Sequence, residues 1–259
     1  MRPAAAGAGI VFVRHDLGAA VRIPAAVEHR VDAVARTNLA VAGVGVQMVE
    51  HVLSALAGLE VDCCEIHLTA EELPGLDGSA RAYVDAIDAA GVEPLGAPVE
   101  PIVIDRVVRV GDEASWVEIG PPRFGGLSVE YELDHPHAPI GHQRLALQVT
   151  PASYRAQLAA ARTFLSADEA ARLQAAGLGL SVGHRDLLVF GPDGPIENEL
   201  RWPDECVRHK LLDLVGDLAL AGRPLQATVR ACRSGHRLNA AAAARVAALG
   251  REPLALAGA

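Results

Sequence analysis

The sequence predicts an α+β protein built from two similar layers, each a set of strands followed by two helices. Three observations carry this. Short strand-like apolar runs recur in both halves. Apolar residues at helical spacing follow them, with Val49, Val52, Leu53 and Leu56 in the first half and Leu211, Leu214, Val215 and Leu218 in the second. Between the halves, Pro94 to Pro101 is rich in proline and glycine and reads as a linker. The expected units are therefore residues 1–98 and 99–259, although the identity between them is too weak to make a sequence repeat.

In the first unit, Ala8 to Arg14 and Ala20 to Ile23 read as strands, and Val41 to Val46 more loosely so. Gln47 to Leu59 is predicted helical, with Glu50 and His51 opening it about 100° apart around the axis. Val61 to Leu68 is a strand, and Glu71 to Ser79 (EELPGLDGS) a turn-rich loop. Ala80 to Ala90 is a second helix, closed by Gly91.

In the second unit, Ile102 to Val110, Ser115 to Ile119, Leu127 to Leu133 and Arg144 to Val149 read as strands of a meander. Tyr154 to Ala161 is a short helix, after which Arg162-Thr163-Phe164 breaks the pattern. Ala167 to Ala176 is a helix ending at Gly177, and Leu187 to Phe190 a buried strand. Pro203 to Gly222 (PDECVRHKLLDLVGDLALAG) is the strongest helix. Proline and an acid suit its start and glycine its end. Gln226 to Ala231 is a strand, Ser234-Gly235-His236 a turn, and Leu238 to Leu249 an alanine-rich last helix.

Composition sets bounds on function. At 259 residues, 51% hydrophobic and 21% charged, the chain can bury one large core or two small ones. Its net charge of −9 argues against nucleic acid and against an anionic membrane surface as partners. An anionic substrate would need a local basic pocket. No apolar run reaches the ~20 residues of a membrane span, and MRPAAAGAG is not a secretory signal. Cys63, Cys64, Cys206 and Cys232 form no C-x-x-C, and neighbours in a strand point to opposite faces, so reduced thiols in a cytoplasmic protein are expected. A monomer is the expected state.

The chemistry gathers on the strongest helix. His209, Asp213 and Asp217 follow at i, i+4 and i+8, each step turning only about 40°, so they form a stripe away from the leucines. His209 and Asp213 can point at one metal ion from a single rigid element. The plainer reading is a solvated polar face. Two further places offer similar groups: Val49-Glu50-His51, and Ser234-Gly235-His236-Arg237-Leu238-Asn239. Two imidazoles and a carboxylate suit catalytic zinc with an open fourth position. A neighbouring carboxylate suits a base, and a further histidine suits an acid or oxyanion partner. Taken alone, His51 reads equally as a packed or surface histidine and His236 as part of a polar turn.

Five blocks change this balance. In order they are MVEHVLSALAGLEVD, LPGLDGSARAYVDAI, ARTF, DECVRHKLLDLVGDLALAG and SGHRLN. Together they resemble the zinc-dependent UDP-3-O-acyl-N-acetylglucosamine deacetylases (LpxC), which carry out the committed step of lipid A synthesis. The resemblance runs from about Arg2 to about Ala242. It implies a β-α-α-β sandwich of the two units with the active site between them, and an acyl-chain-binding insert in the second.

The resemblance also implies roles. His51, His209 and Asp213 match the zinc ligands. Glu50 matches the general base. His236 matches the general acid and oxyanion partner, and Asp217 the carboxylate that orients it. Thr163 matches a hydroxyl donor to the oxyanion, and Lys210 a lysine near the substrate. Phe164 and Arg233 fall at substrate-binding positions, Arg233 near the diphosphate. Fe(II) could use the same ligands. Outside that context Asp217 is a helix-cap or surface acid, Thr163 a helix-end hydroxyl and Lys210 a solvated lysine. In the LDGS loop, Gly78 is expected to serve a tight turn and Asp77 local hydrogen bonds, with no catalytic part.

Two departures accompany the resemblance. Family members usually begin with a further strand and a G-x-G-L-H-[ST]-G loop. Here MRPAAAGAGIVFVRHD resembles the segment after that loop, so a missing first strand is expected to bare an edge and part of the core. In the insert, Leu180 to Leu187 replaces the usual G-G-S-x-D-N-type run, and Ser166 and Ala167 replace bulky residues. A fatty-chain tunnel is still expected from Phe164, Leu165, Leu173, Leu178 and Leu180, altered in shape. Two other readings fit the sequence. One is a zinc amidohydrolase on another N-acylated sugar nucleotide. The other is an impaired, truncated homologue that only binds metal or ligand.

Overall fold

A computed structural model describes residues 1–177, 179, 182–184 and 186–251. The fold is mixed: six α-helices and four sheets among the described residues. The helices are α1 (Glu50–Gly58), α2 (Arg81–Ala90), α3 (Pro151–Gln157), α4 (Ala167–Ala175), α5 (Glu205–Leu218) and α6 (His236–Leu249). None is long and apolar enough to cross a membrane.

A four-stranded sheet near the start runs in the order Arg2–Pro3, Cys64–Leu68, Ile10–Arg14, Val21–Pro24. The largest sheet runs His142–Val149, Leu127–Asp134, Leu225–Cys232, Trp116–Gly120, Val108–Gly111, with Ile102–Val103 beside Leu225–Cys232. Its alternation is clean. Val117, Ile119, Val129, Tyr131, Leu133, Val229 and Ala231 face the core. Their neighbours form a row of opposite charges on the other face, where Glu118 meets Arg109 and Arg230, and Glu130 meets Arg230 and Arg144.

Residues 91–101 hold no helix or strand and are mostly exposed. Across this stretch the interior is nonetheless continuous: one apolar cluster joins Phe12, Leu53 and Ile66 to Tyr131, Leu214 and Val246. The helices α1 and α5 lie in its middle. A methyl at Gly216 of α5 would sit 2.1 Å from the Glu50 carbonyl oxygen of α1, so the two backbones touch there. Ser54 Oγ of α1 donates to the Leu212 carbonyl of α5 at 2.7 Å, and Tyr154 of α3 donates to Ser54 at 2.8 Å. Of α5 only Arg208 and Lys210 escape full burial. The plainer expectation of a solvated stripe on this helix is therefore wrong, because both its faces are covered.

Several boundaries differ from expectation for local reasons. The expected strand over Val41 to Val46 is a hairpin, Asn38–Val41 against Val44–Val46. Ala42 and Gly43, at φ 51° and 82°, make the two-residue turn whose twist suits paired strands. Helix α1 begins at Glu50 and not Gln47. Gln47 instead donates its N–H to the Glu71 carbonyl at 2.9 Å, and Met48 has φ 60°. Helix α3 begins at Pro151 because Thr150 and Ser153 form a reciprocal cap. Phe164–Ser166 pairs in parallel with Leu188–Gly191, a strand that the sequence pattern did not reveal. His236 is the first residue of α6, where a turn was expected. The expected strand over Ile102 to Val110 is two short ones, Ile102–Val103 and Val108–Gly111. All four cysteines are free thiols.

The contact at Gly216 yields a test. Gly216→Ala is expected to cost about 1–3 kcal/mol of unfolding free energy in urea, since the α1 backbone must retreat from the added methyl. An unchanged denaturation midpoint would refute the backbone contact.

Candidate active site

A cavity of ≈ 1160 Å³ opens over the facing ends of α1 and α5. At its floor His51 of α1 meets His209 and Asp213 of α5. Their ligand atoms all lie within 4.8 Å of one another, and all three residues are buried. Asp213 Oδ1 is 3.3 Å from His209 Nε2 and 3.7 Å from His51 Nε2. The two imidazoles stand edge to face, with centroids 5.2 Å apart.

The donor set fits a divalent cation. Asp213 Oδ1 is buried and has no hydrogen-bond partner among the described residues, a costly state for a carboxylate oxygen. Burial lowers the pKa of His51 and pushes that of His209 down to about 3, so both present neutral lone pairs. His209 Nδ1 donates to the Ala161 carbonyl at 3.1 Å, which fixes the tautomer with Nε2 facing Asp213. Burial opposes the charge of Asp213, but the Lys210 ammonium and the His236 imidazolium beside it outweigh burial and hold its carboxyl far below the usual range. Lys210 Nζ occupies the other oxygen, Asp213 Oδ2, at 2.9 Å. The lysine is likewise not a freely solvated one: burial would discharge it, yet Asp213 keeps its pKa above the ordinary value. Its ammonium also lies 5.5 Å above the Phe164 ring.

Glu50 and His236 flank this cluster. Burial, aided by Asp217 and Asp213, pushes the Glu50 carboxyl up to about 7, against the pull of His236. Burial works against the His236 imidazolium, but Asp217, Asp213 and Glu50 together raise its pKa to about 9. His236 Nδ1 donates to Asp217 Oδ2 at 2.9 Å, so Nε2 faces the cleft, 4.0 Å from both Glu50 Oε1 and Asp213 Oδ2. Asp217 is fully buried and takes three donors: His236, Asn239 Nδ2 at 2.9 Å and Thr37 Oγ1 at 2.6 Å. Ser234 Oγ holds the Asn239 amide oxygen at 2.8 Å, which aims its nitrogen at Asp217.

Thr163 stands above His209. Its hydroxyl is 3.0 Å from the Gly78 carbonyl and 3.1 Å from His209 Nε2, and its backbone N–H also donates to Gly78. The LDGS loop is thus a cradle for Thr163. Gly78, at φ +74°, makes its turn, and Asp77 accepts from Ser79 and from Arg201. Arg233 lines the cavity edge, 3.5 Å from Asp134.

Phe164, expected in the tunnel, packs edge to face on His209 and His135 and is not among the residues lining the cavity, whose wall is apolar at Leu165, Ala170, Leu173, Val189 and Ile196. Leu178 and Leu180, expected in the tunnel, lie outside the described residues, as do Ser181 and Arg185 of the unusual run and residues 252–259 of the second unit.

The structure thus gathers His51, His209, Asp213, Glu50, His236, Asp217, Lys210 and Thr163 at one end of one cleft. Sequence reasoning missed Thr37, Asn239 and Gly216. Asn239 lay inside the SGHRLN block, and Gly216 was legible as a glycine within a helix. Thr37 left no signal.

The chain's similarities agree with this arrangement. The family model for UDP-3-O-acyl N-acetylglycosamine deacetylase matches residues 1–248. A UDP-3-O-acyl-N-acetylglucosamine deacetylase of Anaeromyxobacter dehalogenans is 37% identical over 249 residues, covering 96% of this chain and 80% of that protein. One of Myxococcus xanthus is 38% identical over 245 residues, covering 92% of this chain and 76% of that protein. On a match of this extent, the chain belongs to the UDP-3-O-acyl N-acetylglycosamine deacetylase family.

Proposed function

We propose that this protein hydrolyses the N-acetyl amide of UDP-3-O-acyl-N-acetylglucosamine, giving acetate and UDP-3-O-acyl-glucosamine, the committed step towards lipid A. His51, His209 and Asp213 would hold a zinc ion. The observation that carries the reading is the partnerless, buried Asp213 Oδ1 facing two neutral imidazoles, with a carboxylate and an imidazolium on either side. The ion would supply Lewis-acid polarisation of the amide carbonyl and a lower pKa for water.

The chain's own groups supply the rest. Glu50, with Oε2 pinned by the Thr37 N–H at 3.0 Å, leaves Oε1 to take a proton from the attacking water. The hydroxyl adds to the acetyl carbon, and the carbonyl oxygen gains negative charge. Thr163 and the His236 imidazolium donate to that oxygen. The C–N bond then breaks, the nitrogen takes a proton from His236 or Glu50, and acetate leaves. Lys210 and Arg233 place positive charge beside an anionic substrate, as the negative overall charge requires. The apolar wall of the cavity receives the acyl chain. In the same reading, residues 1–98 and 99–259 are two domains with α1 and α5 sandwiched between them, the second carrying the acyl-binding insert, in a cytoplasmic monomer.

Acetate release from the acylated UDP-sugar, with zinc measured, tests this. Glu50→Gln is expected to lower turnover about 10²- to 10⁴-fold while zinc stays at one per chain. Equal turnover on substrate lacking the 3-O-acyl chain would instead favour a different N-acyl sugar nucleotide, and bound zinc with no acetate release a binding protein.

Removing the ion should be visible without substrate. A site filled at about 1,000 times its Kd adds about 4 kcal/mol of stability. Chelation is therefore expected to lower the thermal midpoint of the wild type and to leave that of Asp213→Ala unchanged. A chelator-insensitive wild type would sink the metal site.

A further inference from the structure

We infer that Thr37 is a positioning residue for the reaction: it sets Glu50 and Asp217 relative to each other from a third element of the fold. The inference rests on the amide-hydrolysis reading above. Thr37 directly precedes the Asn38–Val41 strand, far in sequence from α5 and α6, and is fully buried. Each of its three polar groups goes to a different place. Its N–H donates to Glu50 Oε2 at 3.0 Å. Its carbonyl accepts the Val49 N–H at 3.1 Å, at the residue just before α1. Its hydroxyl donates to Asp217 Oδ1 at 2.6 Å.

The division of labour at Asp217 gives the hydroxyl its importance. Oδ2 receives His236 and Asn239, and Oδ1 receives Thr37 alone among the described residues. A carboxylate tethered through one oxygen can rotate about its Cβ–Cγ bond. Holding the second oxygen stops that rotation and fixes the line from Asp217 through Nδ1 to the His236 Nε2 that faces the cleft. The backbone N–H does the same for Glu50: with Oε2 taken, Oε1 is the atom left towards His236, at 4.0 Å. One residue therefore aligns the base and the support of the acid without touching substrate.

Two kinds of measurement test this. The first is kinetic. Thr37→Val keeps the shape and removes the hydroxyl. A lost hydrogen bond to a buried charge corresponds to roughly 10- to 100-fold in rate, so kcat is expected to fall by that factor with KM unchanged. Thr37→Ser should restore most of it. Because the hydroxyl acts through Asp217, adding Thr37→Val to Asp217→Asn should slow the enzyme little further. If the valine variant does not fold, Thr37→Ser against Thr37→Ala isolates the same hydroxyl.

The second measurement is free of turnover. The downfield proton resonance of His236 Nδ1–H is expected to shift in Thr37→Val (or Thr37→Ala) and to stay in place in Thr37→Ser. Full kcat in the variants lacking the hydroxyl, additive losses in the double variant, or an unmoved resonance would each overturn the inference. A wild type that releases no acetate while the resonance still tracks the hydroxyl would count against the proposed reaction and leave the placement of Asp217 by Thr37 standing.

Discussion

The approach of α1 to α5 at Gly216 is the constraint on which the site depends. Two helices carrying ordinary side chains pack at 8–10 Å. Here a glycine lets the Glu50 carbonyl come to where a methyl would otherwise sit. Glu50 and His51 open α1 at that contact, so the same approach carries their side chains over the stripe of His209, Asp213 and Asp217. Ser54 and Tyr154 then bolt the two helices farther along, through fully buried hydroxyls. The geometry of the cluster is in this sense a consequence of backbone packing, and the side chains inherit it.

Burying so many ionisable groups is costly unless they answer one another. Asp217 is answered by His236, Asn239 and Thr37, and one oxygen of Asp213 by Lys210. Glu50 accepts the Thr37 N–H but is deeply buried, and burial first, then the nearby Asp217 and Asp213, raise its pKa to about 7. The other oxygen of Asp213 has no hydrogen-bond partner among the described residues. Immediately around the ligand cluster, Asp213, Asp217 and the ionised fraction of Glu50 face one ammonium, Lys210, and one imidazolium, His236. A divalent cation between the two neutral imidazoles would answer that Asp213 oxygen.

How much of this was legible in the sequence depends on how local each signal is. The i, i+4, i+8 stripe on α5 was readable because a helix converts spacing into direction. What spacing could not say is whether the stripe is wet, since that depends on α1 and α6, which lie far away in the chain. The family blocks supplied that tertiary information for His51, Glu50 and His236. They did not supply Thr37, whose partners come together only after the Asn38–Val41 hairpin folds back on α1. The hairpin itself was hidden because Ala42 takes a positive φ that the sequence pattern assigns to glycine or asparagine. Likewise Phe164–Ser166 is a strand only because Leu188–Gly191 lies beside it. Three residues carry too little periodicity to announce themselves.

The last link is between the apolar arm of the cleft and its polar floor. The segment that leads into the arm, Ala161 to Phe164, touches the floor twice: Ala161 fixes the His209 tautomer and Thr163 sits over Nε2. That segment is clamped at Arg162, whose buried guanidinium reaches the buried Glu205 on α5, Asn198 and the Glu199 carbonyl. Glu205 in turn accepts the N–H of Arg162 and of Arg201. Buried ion pairs in general add little stability over well-packed apolar side chains. Apolar side chains could not hold the register of one carbonyl against one imidazole. The pair at the start of α5 therefore ties the apolar arm of the cleft to His209 through Ala161 and Thr163.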